Sequence, residues 1–306
     1  MEFKALLADR TPYKKFLILV GIALISGVIF SALGSLLATM ITGIQVLTDP
    51  KALSDLTNPA VIDALKIIQL VSAIGTFLLP PIFAAWLFTN DAKEYLGVVK
   101  KPNSQQIVIA VILLLVAIPF INWMMMANSL MELPPSMKGL EDWMKEMESN
   151  AGQITKLLVK SSTIGGLIFN IFLMAVIPAL GEEFLFRGLI QKLFKDLSGN
   201  VHAGIILSAI LFSAMHMQFY GFIPRFALGV MLGYMMYWSG SLWLPIIAHF
   251  INNFLAVITT WAAANGSLKI NPDTIGTEPG QSAMLGISVF LTWGLLFLLR
   301  KVSLEK

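Results

Sequence analysis

Eight runs of apolar residues, separated by short polar stretches, dominate this chain and limit what it can fold into. They cover roughly residues 16 to 44, 64 to 89, 105 to 130, 162 to 197, 201 to 219, 222 to 238, 241 to 263 and 283 to 300. Hydrocarbon offers no hydrogen-bond partner, so a segment that enters it must pair its backbone groups internally, and about 20 apolar residues in a helix reach across. Charged residues are 13% of the chain against 57% hydrophobic ones, and mean hydropathy is +0.78. A soluble domain carries about twice that share of charge. The expected fold is all-α, a polytopic integral membrane protein of about eight transmembrane helices.

The first run follows Lys14 and Lys15 but is too long for the apolar region of a signal peptide, so it reads as a retained span. Residues 1–161 read as a three-span N-terminal region with a following loop, 162–263 as a core, and 264–306 as a C-terminal loop and last span. Pro80-Pro81 and Pro119 predict kinks in the second and third spans. In the hydrophilic stretch 131 to 160, Trp, Met and charges alternate at helical spacing, which predicts an amphipathic helix lying on the membrane.

Net charge is +3. The basic residues sit between apolar runs and form no stripe, so they orient the chain in a membrane and predict no nucleic-acid partner. Their bias, from Lys4 through Arg300, Lys301 and Lys306, puts both termini in the cytoplasm, in what reads as the cytoplasmic membrane of a bacterium. The chain has no cysteine, which excludes thiol nucleophiles and thiolate metal sites.

An ionisable residue inside a span is costly and marks function by default. Among the carboxylates, Glu182 and Glu183 alone fall inside an apolar run; of the three His residues, His216 and His249 do. The polar break Leu197-Ser198-Gly199-Asn200 reads as a turn, and Glu182 and His216 each lie seventeen residues from Gly199. At ~1.5 Å per residue, a hairpin sets them at one depth. Two further reversals bring His249 and Asn253, four apart on one helix face, to within a turn of that level. Arg187 stands four residues after Glu183, at ion-pair spacing, which leaves Glu182 without a cation. Arg225, level with His216, is expected to snorkel to the interface, or else to steer a substrate carboxylate. His202 falls at a span edge, as a surface residue.

This set can activate water on a carboxylate and an imidazole, and can donate hydrogen bonds from the second His and the Asn to an oxyanion. Glu182, His216 and His249 are also a candidate three-ligand metal set, for instance for zinc, although His-Glu-x-x-His is absent. Both mechanisms stay open. Serine chemistry lacks its Gly-x-Ser-Gly, and aspartyl chemistry lacks membrane Asp residues. The alternative outside hydrolysis is a proton-coupled transporter that uses the buried Glu and His as a relay.

Glu182-Glu183-x-x-x-Arg187, Phe212-x-x-x-His216 and His249-x-x-x-Asn253 resemble, in order, the three motifs of the CAAX prenyl protease and bacteriocin-processing family, also called the Abi family. The likeness covers roughly residues 165 to 260. It implies an eight-helix intramembrane endopeptidase with Glu182 as base, His216 positioning the water, and His249 with Asn253 at the oxyanion. Members of the family are often labelled metalloproteases, and a metal-free glutamate mechanism has also been put forward for them. Implied partners are the lipid bilayer and a membrane-associated or prenylated peptide or protein substrate.

Overall fold

The computed structural model describes residues 4–49, 51–161, 163–268 and 271–305; Ser162 and Lys306 of the expectations above fall outside them. Among the described residues there is no strand, and nine helices carry the architecture. They are α1 (Pro12–Thr42), α2 (Pro59–Phe88), α3 (Ser104–Ser129), α4 (Lys138–Val159), α5 (Ile164–Ser198), α6 (Val201–Ala214), α7 (Phe222–Ser239), α8 (Trp243–Ala264) and α9 (Ser282–Leu304). All except α4 and α6 are long and apolar enough to cross a membrane, which makes seven.

The fifth apolar run is the shorter exception. Its helix stops at Ala214 after 14 residues, ~21 Å at the usual rise, and the chain turns through Met217 at φ 53. Polar partners hold the turn: Arg225 Nη1 donates to Gln218 Oε1 at 3.1 Å, and Tyr220 N donates to Glu148 Oε2 on α4 at 3.2 Å. The amphipathic α4 therefore lies over this turn, with Trp143 against Phe219 at 5.4 Å between ring centroids. Arg225 also donates to the Gln218 carbonyl, so the guanidinium braces the turn instead of snorkelling.

The helix ladders are irregular beside the internal prolines. Pro80-Pro81 of α2 and Pro178 of α5 follow π-helical turns, Ile74–Leu78 and Phe172–Val176. At Pro119, Ser288 of α9 inserts its hydroxyl into the α3 ladder, donating to Val116 O at 2.5 Å and accepting from Phe120 N at 3.2 Å.

Two apolar cores flank the centre of the molecule. One joins Leu19, Ala85 and Phe88 to Phe186, Leu189 and Phe212; the other joins Leu113 and Leu114 to Leu228, Leu232, Met235, Ala248 and Leu299. Outward faces stay apolar, with Phe290 77% and Val28 72% exposed, as lipid contact requires. The α5–α6 hairpin closes on bare backbone. Gly199 turns at φ 66, Asn200 caps α6 by accepting from His202 N at 2.8 Å, and a Cβ on Gly204 would stand 2.7 Å from Gln191 O.

Candidate active site

Glu182 and Glu183 sit at the end of the α-helical segment Ile177–Glu183 of α5, immediately before a second π-helical turn, Phe184–Ile190. Glu183 is fully buried and pairs with Arg187, as the spacing predicted, at 2.7 Å from Nη1 to Oε1. The same oxygen accepts a hydrogen bond from His249 Nδ1 at 2.8 Å. On the far side of that ring, His249 Nε2 stands 3.8 Å from Glu182 Oε2. That separation is too long for a direct hydrogen bond and short enough for one water to touch both atoms.

Side chains about 100° apart on a helix diverge, but an imidazole presents nitrogens on two edges, and His249 reaches one carboxylate with each. Glu182 Oε2 is buried with no hydrogen-bond partner, and the Glu182 side chain retains 15% exposure, so the carboxylate lies at the edge of reachable space.

Arg187 is held on three sides. Besides Glu183 it donates from Nη2 to the Gly229 carbonyl of α7 at 3.0 Å, and its guanidinium carbon lies 4.7 Å from the Phe212 ring centroid. One turn on, Gln191 Nε2 repeats the pattern by donating to Gly233 O at 3.2 Å. Both α7 positions are crowded: a Cβ on Gly233 would lie 2.8 Å from Ile205 Cγ2 and 2.9 Å from Gln191 Oε1, and one on Gly229 3.0 Å from Ala209 Cβ. Sequence reasoning passed over this ladder, although Gly229-x-x-x-Gly233 has the small-residue spacing that lets membrane helices approach closely.

His216 is placed differently from expectation. It lies two residues beyond the end of α6 and is exposed, so it does not occupy a buried layer; Nδ1 donates to Phe212 O at 2.8 Å. The depth argument holds one turn back, where Phe212 meets Phe186 at 5.2 Å and His249 at 5.9 Å between centroids, with His216 edge-on to the same ring at 5.1 Å. Phe212 is the shared support of both imidazoles. No ion pair within 4.0 Å joins His216 to Glu182 or Glu183.

Among the described residues, no three His, Cys, Asp or Glu side chains gather as a metal ion requires. Of the candidate set Glu182, His216 and His249, the structure brings Glu182 and His249 face to face and leaves His216 outside any such group; the Nδ1 hydrogen bond of His249 to Glu183 leaves its Nε2 open. Asn253, four residues after His249 on α8, is half-buried; its Oδ1 accepts from Asn252 Nδ2 at 3.1 Å, which leaves its own amide N–H groups to donate. The expected surface residue, His202, is exposed and joined to Tyr234 Oη at 2.8 Å.

Comparison with known proteins points to the same segment. Residues 164–255 match the family model described as type II CAAX prenyl endopeptidase Rce1-like, so the resemblance carried by the three motifs is borne out there. The chain is 30% identical over 113 residues to the uncharacterized protein YpbD of Bacillus subtilis (strain 168), covering 36% of this chain and 53% of that protein. It is 35% identical over 94 residues to the membrane-embedded CAAX protease MroQ of Staphylococcus aureus (strain USA300), covering 29% of this chain and 38% of that protein. The chain thus spans about half the length of these relatives, or less. No solved structure matches. Neither comparison points to transport.

Proposed function

We propose that this chain, similar over residues 164–255 to CAAX prenyl endopeptidases, is an intramembrane endopeptidase acting on a membrane-associated or hydrophobic peptide. The observation that carries the reading is His249 held between two carboxylates, the buried Glu183 neutralised by Arg187 and the partly exposed Glu182 left free.

Charge balance supports a mechanism built from these residues alone. Arg187 offsets Glu183, and Glu182 is the carboxylate left without a cation and open to a proton. Water bound against Glu182 gives that carboxylate its proton as its oxygen attacks the substrate carbonyl carbon. The carbonyl π pair moves onto oxygen. Negative charge passes from Glu182 to the oxyanion, so the total in the site is unchanged. His249 Nε2–H and the Asn253 amide are the donors for that oxyanion. The proton on Glu182 then passes to the amide nitrogen as the C–N bond breaks, which releases an amine and a carboxylic acid. His216, whose Nδ1 donates to Phe212 O, has Nε2 left to orient the attacking water.

The test is cleavage of quenched peptides by purified protein in lipid nanodiscs, with matched lipid-anchored, prenylated and unanchored substrates. Glu182→Gln is expected to lower the single-turnover rate by about 100-fold or more, with its melting temperature within about 1 °C of wild type, since few contacts are lost. Cleavage by Glu182→Gln at the wild-type rate would refute the assignment. Comparison of the three substrates tells whether a prenyl group contributes.

A further inference from the structure

A cavity of ≈ 770 Å³ lies apart from the glutamates, between α3, α7 and α9 with the start of α6 at one end. α7 is the partition. Its Gly229 and Gly233 face Arg187 and Gln191, while Leu228, Met231 and Tyr234 line the cavity. Along α7 the lining runs from Phe226 to Trp238, a rise of ~18 Å, slightly more than half of a ~30 Å hydrocarbon layer. It is as deep as a single leaflet.

The two ends differ in chemistry. Toward Phe226 the walls are apolar; at the other end Tyr234, Tyr237 and Trp238 meet His202 and Arg300, the arrangement of aromatic and basic side chains that marks a membrane–water interface. His202 and Tyr234 are already hydrogen-bonded, so this rim is built. Arg300 is exposed and forms no ion pair among the described residues, whereas the adjacent Lys301 lies 3.7 Å from Glu305. The groove opens sideways past Phe297 and Trp293, 67% and 65% exposed on the face that meets lipid.

We propose that this groove is a binding site for one anionic glycerophospholipid, its acyl chain between α3, α7 and α9 and its phosphate at Arg300 and the Tyr237 hydroxyl. Depth matches one leaflet, the sideways opening admits a chain from the bilayer, and the free guanidinium complements the phosphate. A soluble phosphate compound would gain from Arg300 but would leave the apolar groove unfilled.

Native mass spectrometry of the full chain, delipidated and titrated with phosphatidylglycerol or phosphatidylcholine of matched chains, tests the site. Wild type is expected to retain one phosphatidylglycerol about fivefold more tightly than phosphatidylcholine, the factor one basic residue gives at an anionic surface. Arg300→Gln should remove the preference, Arg300→Lys should keep most of it, and Ala227→Trp, which fills the groove, should lose both lipids. Since Arg300 is exposed, its variants keep the test decisive even if Ala227→Trp fails to fold. Equal retention of the two lipids by wild type, an unchanged preference in Arg300→Gln, or displacement of phosphatidylglycerol by an equal concentration of glycerol phosphate would each overturn the proposal.

Discussion

Replacing Glu183 by Gln separates the two glutamates, because Gln keeps the shape of the side chain and removes only its charge. In the wild type, Glu183 Oε1 accepts from Arg187 at 2.7 Å and from His249 at 2.8 Å, and Glu183 and Arg187 are 0% and 1% exposed. Solvent does not screen that pair. Removing one member of a buried ion pair costs about 3–5 kcal/mol, chiefly because the other charge is stranded. The Gln carbonyl can still accept from either donor, so the low end, about 3 kcal/mol, is expected. At ~2 °C per kcal/mol for a large chain, the melting temperature falls by about 6 °C.

If stranded charge is the cause, removing it should restore stability. Arg187→Met in the Glu183→Gln background is expected to recover at least half of the loss, although Gly229 O then loses its side-chain donor. Neither variant should cleave, since His249 loses the carboxylate that orients it. The assay is a double-mutant cycle of thermal unfolding in one detergent, paired with single-turnover cleavage. A Glu183→Gln protein as stable as wild type, or an Arg187→Met replacement that lowers stability further, would refute the reasoning.

Three further outcomes follow from named contacts. Asn253→Ala should lower kcat by about 100-fold or more with KM little changed, as loss of an oxyanion donor does, and steady-state kinetics on the best peptide checks it. Phe212→Ala, which removes the 2% exposed ring supporting both imidazoles and Arg187, should cost about 3–5 kcal/mol and most activity; an unchanged melting curve would contradict its role. Ser288→Ala removes the hydroxyl that bridges the Val116 carbonyl and the Phe120 N–H beside Pro119, and should cost about 1 kcal/mol in thermal unfolding without lowering the cleavage rate.

Membrane residence and helical class were legible in the chain because hydrocarbon imposes one rule on every residue that enters it: backbone groups pair within the segment, and side chains facing lipid are apolar. The same rule made Glu182, Glu183, His216 and His249 conspicuous, and the four-residue spacing gave the Glu183–Arg187 pair, since i to i+4 adjacency is a property of one helix. Relations between helices were not legible in this way. Apolarity alone let the fifth run extend to residue 219, but Arg225, Gln218 and Glu148, from three separate elements, end its helix at Ala214 and leave His216 in an exposed turn. Which nitrogen of His249 meets which glutamate depends on how α8 is rotated against α5, where the His249 ring packs on Phe212 of α6. Local periodicity decides what lies on a helix face; only the fitting of side chains between helices decides what that face meets.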